Sequence, residues 1–386
     1  MITIKRIELL RVELPLIRKF IVSFGTLTHR DIVLVKLHTD DGAFGWGEAP
    51  TINWPVYKPE YPGTVCAVIK DVIAPTILDK TFETPEDLDK ALNFIRGHYF
   101  AKAAISMAAY DIFAKKQNKS IRDLVGATQA GVTISKTISI YEDVGQTVAE
   151  GQGYYDEGIR WLKLKIKPGC DIKQVEALRK TFPDCKLMVD ANASYAYTPE
   201  TIELFKALES YDLFCIEQPL AWDDLVYHAK LQEHLKTPVA LDESIDSAQG
   251  TRQALEIQSC RAVNIKVARV GGLTSSREIH DLCLERNIPT WTGGMVESPV
   301  GFAVNLAFAG MKGCLWPIDF MESEFLIANS HQYFDELPYT VQGDQLTFAC
   351  KQPGLGFTLN ETAIDKACLS REVFENSSQH SLKSAG

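Results

Sequence analysis

Five charged residues recur at nearly equal distances through the middle of the chain. Lys165, Asp190, Glu217, Asp242 and Lys266 follow one another at intervals of 24 to 27 residues, each near the end of a short apolar segment. Three carboxylates that converge on one point repel each other unless a cation lies among them. Oxygen ligands without His or Cys favour a hard ion, Mg²⁺ first and Mn²⁺ as an alternative. Taken singly, each carboxylate is equally explained as a helix cap or an ion-pair partner.

The two lysines flank the three carboxylates in chain order, which indicates proton transfer. A cation that binds a carboxylate or amide oxygen makes the neighbouring C–H acidic by stabilising the enolate as it forms. A lysine accepts that proton only if its pKa falls from the ordinary value of about 10.4. Lys163, on the same face of the segment "KLKIK" as Lys165, adds like-charge repulsion that lowers this pKa. The alternative is that both flanking lysines only form salt bridges with the carboxylates.

Short strand-like segments separated by amphipathic helical segments must position these residues. The segments are "TISKTISI", "WLKLKIK", "KLMVDAN", "CIEQPL", "VALDES", "AVNIKVA", "IPTWTGG" and "CLWPID", and Gly293 and Asp319 continue the same spacing. Eight such repeats close a parallel barrel more readily than they form an open sheet. Because no clear helix follows the eighth strand, the sequence predicts an α/β fold with a (β/α)7β TIM-like barrel. In such barrels the carboxyl ends of the strands face the active site.

The rest of the chain is organised differently. Residues 1–128 read as strands and a hairpin followed by helices, which predicts an α+β N-terminal domain, called the cap below. We expect the barrel at 129–323 and a C-terminal segment at 324–374 that packs back toward the cap. That segment contains the hairpin pattern "YTVQGDQLTF". The polar stretch 375–386 is expected to be a disordered tail.

Composition narrows the partners and the compartment. The net charge of -10 and the pI near 5.4 disfavour nucleic acid and membrane surfaces as partners. Nine scattered cysteines without a Cys-x-x-Cys spacing indicate reduced thiols, and the N-terminus lacks the apolar core of a signal peptide. We therefore expect an unprocessed cytoplasmic protein without a membrane span, a homo-oligomer that acts on a small-molecule carboxylate.

Several motifs resemble those of a known family. The stretches "KLKIKPG", "VDAN", "IEQP", "LDES", "NIKVARVGG" and "WTGGM" are similar to the enolase superfamily, muconate-lactonizing subgroup. The likeness is greatest to its branch of o-succinylbenzoate synthases and N-acylamino acid racemases. It extends over nearly the whole chain, because "SFGT", "GWGE" and "RGHYFAKAA" in the cap fit as well.

This resemblance implies roles for individual residues. It implies that the three carboxylates bind Mg²⁺, that Lys165 and Lys266 form the acid/base pair, and that Lys163 tunes Lys165. Asn192 and Glu243 would support the metal ligands. Substrate-facing positions would be Ser139, Phe24, Trp54, Tyr57, Arg269, Gly293, Gly294 and Met295.

Two stretches depart from the family pattern. Where relatives carry Gly-x-Gly-Arg, this chain has Pro299 and Phe302 at the first Gly and the Arg, and "WPIDFMES" adds Ile318 and Glu322. Loss of a cation and gain of a carboxylate predict a pocket less favourable to an anionic acyl group.

The sequence thus predicts an enzyme that abstracts a proton α to a carboxylate through a metal-stabilised enolate. N-acylamino acid racemisation and dehydration to o-succinylbenzoate are the expected reactions, and dipeptide epimerisation or another reaction of the muconate-lactonizing subgroup is the alternative. A glycoside hydrolase also uses paired carboxylates at barrel strand ends, and a non-catalytic barrel is the third possibility.

Overall fold

The computed structural model describes residues 1–23, 25–320, 327–328, 330–335 and 337–375. Its N-terminal part is built on an antiparallel sheet whose first strand alternates buried and more exposed side chains, as expected for a sheet with one covered face. The strands are β1 (Ile2–Val22), β2 (Gly25–Thr39), β3 (Phe44–Ala49) and the short β4 (Thr81–Phe82), which pairs with β1.

Helices cover one face of this sheet: α1 (Pro62–Val68) continues through a π-helical turn (Ile69–Ile73) into α2 (Ala74–Ile77), and α3 (Pro85–Ala91), α4 (Tyr99–Lys116) and α5 (Ile121–Leu124) follow. The Ala-rich helix α4 lies directly on β3. A Cβ atom at Gly47 would stand 1.9 Å from the carbonyl oxygen of Ala104, so the small residues on both elements permit backbone contact. The close packing of β3 on α4 therefore explains the glycines of the "GWGE" motif.

Eight parallel strands form the second part of the molecule, and each of the first seven is followed by one helix. Each strand from β5 to β10 forms a ladder with the next strand in sequence, and within the described residues β11 and β12 do not form one with each other. The strands are β5 (Gly131–Ile138), β6 (Trp161–Lys165), β7 (Lys186–Asp190), β8 (Leu213–Glu217), β9 (Val239–Leu241), β10 (Ala262–Ile265), β11 (Thr290–Thr292) and β12 (Ile318–Asp319). The helices are α6 (Val144–Asp156), α7 (Ile172–Thr181), α8 (Pro199–Glu209), α9 (Val226–His234), α10 (Ala248–Glu256), α11 (Leu273–Glu285) and α12 (Pro299–Ala309).

The last strand returns to the first, because β12 pairs in parallel with β5. Between β11 and β12 the carbonyl of Thr290 accepts hydrogen bonds from the amides of Leu315 and Trp316, at 3.1 and 3.3 Å. The prediction of a (β/α)7β barrel with an α+β cap is confirmed.

The C-terminal segment contacts both parts. Strands β13 (Tyr339–Gln342) and β14 (Gln345–Phe348) form the predicted hairpin, and β14 pairs with β5 of the barrel. A turn at Ser330–Gln332 precedes the hairpin, and α13 (Glu361–Ala367) follows it. Strand β15 (Cys368–Glu375) then pairs with β1 of the cap. Glu375, the first residue of the expected tail, is the last residue of this strand, and the rest of the tail lies outside the described residues. The proposed domain boundaries remain a prediction.

The structure bears on two expectations from composition, the state of the cysteines and the absence of a membrane span. All nine cysteines carry free thiols, six of them buried, as the absence of paired spacing predicted. Among the helices of the described ranges, none combines the length and apolarity needed to cross a membrane.

The side chain of Asp111 connects the cap to the C-terminal segment, and its contacts allow a prediction about stability. Its buried carboxylate accepts hydrogen bonds from the amides of Trp46 at 2.9 Å and Leu355 at 3.0 Å, and from Nζ of Lys115 at 2.7 Å. Asp111→Ala is expected to lower the free energy of unfolding by about 3 kcal/mol, because two buried amides lose their acceptor. Urea unfolding measures it. Glu203→Ala, which breaks an exposed pair with Lys206, should cost less than about 1 kcal/mol, and equal losses would contradict the argument.

Candidate active site

Three carboxylates meet where strands β7, β8 and β9 end. Asp190 is the last residue of β7, Glu217 is the last of β8, and Asp242 follows β9 directly. Asp190 and Glu217 are paired in register, so their side chains point the same way. One oxygen from each of the three carboxylates lies within 4.8 Å of the others, and all three residues are fully buried. The structure brings the predicted triad together.

Lys163 lies among these carboxylates and contacts a fourth. Its Nζ is 3.0 Å from Oδ2 of Asp190, 2.7 Å from Oε2 of Glu217 and 2.9 Å from Oδ2 of Asp319. Burial disfavours the ammonium, but the carboxylates outweigh it and hold the pKa of Lys163 well above its ordinary value. Asp319 was not among the predicted site residues, although its place at the end of the eighth strand continued the spacing and could have revealed it.

Lys165 and Lys266 lie on opposite sides of the barrel mouth. Lys165 ends β6 and Lys266 follows β10, four strands further round a barrel of eight. Nζ of Lys165 is 2.6 Å from Oδ2 of Asp190, and Nζ of Lys266 is 2.8 Å from Oδ2 of Asp242. Burial, with the charges of Lys163 and Lys266, lowers the pKa of Lys165. The direction agrees with the sequence argument, although burial is the larger cause.

Amide side chains fix the orientation of the acids. Asn192 donates from Nδ2 to Oε1 of Glu243 at 2.9 Å, and its backbone amide donates to Oδ1 of Asp190 at 2.9 Å. Asn264, which the sequence analysis missed, donates from Nδ2 to Oε1 of Glu217 at 2.8 Å. Asn264 lies in β10, and Lys266 follows two residues later, just beyond the end of that strand. This period-two spacing, which favours one face for both side chains, is the signal that could have identified Asn264.

The donor set fits a hard divalent cation. Oε2 of Glu217 and Oδ2 of Asp242 are buried, and neither receives a hydrogen bond from the described residues. Lysine ammonium groups lie within ion-pair distance of both oxygens. These ammonium groups balance the charge of the two oxygens, and the three clustered carboxylates offer oxygen ligands only. The buried triad could therefore bind a metal ion.

A cavity of about 40 Å³ lies above these residues, between the cap and the barrel. Its polar lining includes the three lysines, Asn192 and Asp319. We call the apolar part of the lining the apolar wall; its members are Phe20, Val22, Leu27, Ile52, Met295 and Val296. Arg30, Tyr57, Thr137 and Gly294 complete the lining.

Some predicted substrate-facing residues reach this cavity. Gly294, Met295 and Tyr57 line it, and the hydroxyl of Tyr57 donates to Oδ1 of Asp242 at 3.2 Å. Gly293 lies just behind, where a Cβ atom would stand 2.2 Å from Oδ1 of Asn264.

Other predicted positions lie elsewhere. Trp54 is 72 % exposed and is not part of the cavity lining. Ser139 is buried just after β5 and is not part of the cavity lining, and its amide donates to Oε2 of Glu150 at 3.0 Å. Thr137, a residue of β5, lines the cavity. Phe24 lies outside the described residues.

The guanidinium of Arg269 makes contacts that the sequence did not predict. The sequence analysis placed it toward the substrate, but its guanidinium is occupied by protein groups. Nε donates to the carbonyl of Ile245 at 2.7 Å, Nη2 donates to the carbonyl of Asn264 at 2.6 Å, and Nη1 forms an ion pair with Oδ1 of Asp242. Its contacts orient Asp242, because a buried guanidinium takes the nearest carboxylate and carbonyl acceptors.

Three departures from the family pattern, Pro299, Phe302 and Ile318, are not part of the cavity lining. Pro299 is the first residue of α12. Phe302 packs against Phe320 and Tyr339, with ring centroids 5.5 and 5.7 Å apart. Ile318 is a buried residue of β12, and Glu322 lies outside the described residues. Phe302 thus belongs to an aromatic cluster.

Known proteins share this architecture and sequence. Residues 6–126 match the mandelate racemase / muconate lactonizing enzyme N-terminal domain, and residues 146–363 match the enolase C-terminal domain-like family. The chain is 36 % identical to an o-succinylbenzoate synthase of Geobacillus stearothermophilus, covering 97 % of this chain and 98 % of that protein. It is 37 % identical to an N-succinylamino acid racemase of Thermus thermophilus, covering 86 % and 88 %.

A solved structure agrees. The enolase superfamily member from Listeria innocua superposes with a TM-score of 0.91 at 34 % identity, covering 97 % of this chain and 100 % of the other. Sequence, fold and the clustered carboxylates and lysines therefore give one result. The chain belongs to the enolase superfamily, within the mandelate racemase and muconate lactonizing enzyme group, in the branch of o-succinylbenzoate synthases and N-acylamino acid racemases.

Proposed function

We propose that this protein abstracts the proton α to the carboxylate of an N-acylamino acid, of the precursor of o-succinylbenzoate, or of both. The observation that carries the proposal is the pair Lys165 and Lys266, whose amines line one cavity from opposite sides of the carboxylate triad. The names of the relatives support the same two reactions.

Asp190, Glu217 and Asp242 would hold Mg²⁺, which when bound supplies the positive charge that makes a C–H next to a carboxylate acidic. Nζ of one lysine takes the proton from one face of the substrate carbon, and Nζ of the other addresses the opposite face. Lys163 neutralises Asp319 and part of the triad. The apolar wall excludes water, which strengthens every charge interaction inside the cavity.

The two candidate reactions differ in the fate of the enolate. In a racemase, the opposite lysine returns a proton to the α-carbon, which inverts its configuration. In the synthase, the enolate expels a β-hydroxyl group, which takes a proton from a lysine ammonium group and leaves as water. Both need the same first step, so the same residues serve either reaction.

The remaining alternatives have less support. The matching dipeptide epimerase, L-Ala-D/L-Glu epimerase, is less similar to this chain than the proteins named above. A glycoside hydrolase would not need two cavity lysines, and a non-catalytic barrel would not need the buried triad. The expected homo-oligomer and the cytoplasmic location stay predictions, and light scattering would test the first.

Proton NMR in D₂O with added Mg²⁺ tests the proposal. We expect the α-proton signal of at least one N-acylamino acid to disappear by exchange, or the o-succinylbenzoate precursor to be dehydrated. The panel includes N-succinyl and N-acetyl forms of several amino acids, and dipeptides. Exchange of dipeptides alone would favour the epimerase, and no reaction with any compound would contradict the proposal.

The acyl group can be predicted more narrowly. The position of Phe302 away from the cavity lining removes one reason to expect poor use of anionic acyl groups. Since a relative is named for N-succinylamino acids, we expect kcat/KM for N-succinyl substrates to equal or exceed that for N-acetyl ones. The opposite order would contradict this expectation. If N-acetyl substrates were preferred and Glu322→Ala reversed that preference, the charge of Glu322 would be the cause. One unit charge at about 4 Å is enough to change the preference tenfold.

A further inference from the structure

Arg30 of β2 is a buried cation held by backbone carbonyls. It is 1 % exposed. Nε donates to the carbonyl of Val296 at 3.0 Å, and Nη2 donates to the carbonyls of Pro50 and Thr51 at 2.9 and 2.8 Å. The carboxylate of the neighbouring residue Asp31 accepts a hydrogen bond from Nε of Arg11 at 2.8 Å. Among the described residues, no carboxylate oxygen lies within salt-bridge distance of Arg30. A buried guanidinium is costly, so these three acceptors indicate a specific role.

The acceptor at Val296 belongs to a strained residue. Val296 has a φ of +57°, in the left-handed region that a β-branched side chain avoids because its Cβ crowds the backbone. Its side chain is buried in the apolar wall. Strained residues at a ligand site persist only when their surroundings hold them, and the bond from Arg30 is such a restraint.

The other two acceptors begin the cap loop that leads into the cavity. Thr51 precedes Ile52, which belongs to the apolar wall, and the same loop carries Tyr57. Glu48 of β3 holds the barrel loop a second time, because its carboxylate accepts from the amides of Ser298 and Gly301, both at 2.9 Å. Arg30 is therefore the group that connects the cap loop and the strained barrel loop to each other.

We propose that Arg30 is a positioning residue that fixes Ile52 and Val296 in the apolar wall and so sets how well an apolar substrate side chain fits the site. The identity of the substrate in this proposal rests on the proposed function. The positions of the two loops do not depend on it. Arg30 acts on the two loops through their backbone, since Nε and Nη2 donate to backbone carbonyls.

Kinetics separate positioning from general stability. In Arg30→Met, we expect KM for an N-acylphenylalanine to rise about tenfold or more, and KM for the N-acylalanine to change by less than about threefold. Arg30→Lys, which keeps the charge with fewer donors, should lie between. Arg11→Met is the matched control, because Arg11 contacts Asp31 and neither loop, and should leave both values unchanged. An equal loss of kcat on both substrates without a change in KM would overturn the proposal.

Val296→Gly tests the strained residue itself, because glycine adopts a positive φ without steric cost. We expect Arg30→Met to reduce kcat/KM for N-acylphenylalanine by a smaller factor in the Val296→Gly background than in the wild type. The same reduction in both backgrounds would show that the two residues are independent, and would overturn the link between them.

Hydrogen exchange measured by mass spectrometry gives a readout that does not depend on activity. In Arg30→Met, peptides covering 50–57 and 293–301 should exchange about tenfold faster, and peptides of β7 and β8 should be unchanged. Unchanged exchange in both loops, or equal acceleration of the whole cap, would overturn the proposal. If the wild type reacts with no substrate, the proposed function fails, and this measurement still decides the role of Arg30.

Discussion

Alanine at Lys165 or at Lys266 is expected to stop racemisation, with a loss of at least about 10³-fold in kcat. The reason is geometric, since the two amines lie four strands apart round the barrel and both line the cavity, so that each would address one face of the substrate carbon. Removal of either leaves one face without a group that can take or return a proton. Polarimetry on a single enantiomer measures the loss.

The same variants should divide the half-reactions. Lys165→Ala should still exchange the α-proton of one enantiomer with D₂O, and Lys266→Ala should exchange that of the other. Lys136→Ala is the matched control: this buried barrel lysine packs over the rings of Tyr154 and Phe320 and is not part of the cavity lining. Racemisation at the wild-type rate in either active-site variant would refute the two-base mechanism.

Chelation is expected to have a comparably large effect. Treatment with EDTA should abolish α-proton exchange, and Mg²⁺ or Mn²⁺ should restore it, because the buried carboxylates lose the charge that makes the substrate acidic. Binding to the folded state alone also stabilises it, by about 2.7 kcal/mol at one hundred times the dissociation constant. We therefore expect Mg²⁺ to raise the Tm of the wild-type protein, which calorimetry measures without substrate.

Glu217→Gln should remove this rise in Tm together with the activity. Asp319→Asn is the comparison, since Asp319 contacts Lys163 but is not one of the three clustered carboxylates, and its Tm should still respond to Mg²⁺. Full turnover after exhaustive chelation would refute the metal assignment. So would a rise in Tm that is the same in Glu217→Gln and the wild type.

Local pattern was enough to predict the barrel and its charged residues. Regular spacing placed Lys165, Asp190, Glu217 and Asp242 at successive strand ends, and strand ends in a parallel barrel converge. Period-two alternation likewise predicted that Lys163 and Lys165 share a face. These properties depend on neighbours in sequence or on one repeated unit, which a single chain displays.

Contacts between distant segments could not be predicted in the same way. Trp54 and Tyr57 lie three residues apart with similar aromatic character, yet only Tyr57 turns toward Asp242 and Lys266. The bond between Arg30 and Val296 spans 266 positions, and the strain at Val296 depends on backbone angles that its residue type disfavours. The acceptors of Arg269 could not be predicted either, because the sequence gives only its distance from Lys266 along the chain.

The pairing of β1 with β15 joins Ile7 to Phe374, which constrains the order of events during synthesis on the ribosome. Residues near the N-terminus emerge first, but one edge of β1 acquires its partner only after nearly all of the chain has been translated. An open strand edge is a template for pairing with other chains. Nascent chains shorter than about 368 residues are therefore the species most exposed to aggregation, however completely their barrel has formed.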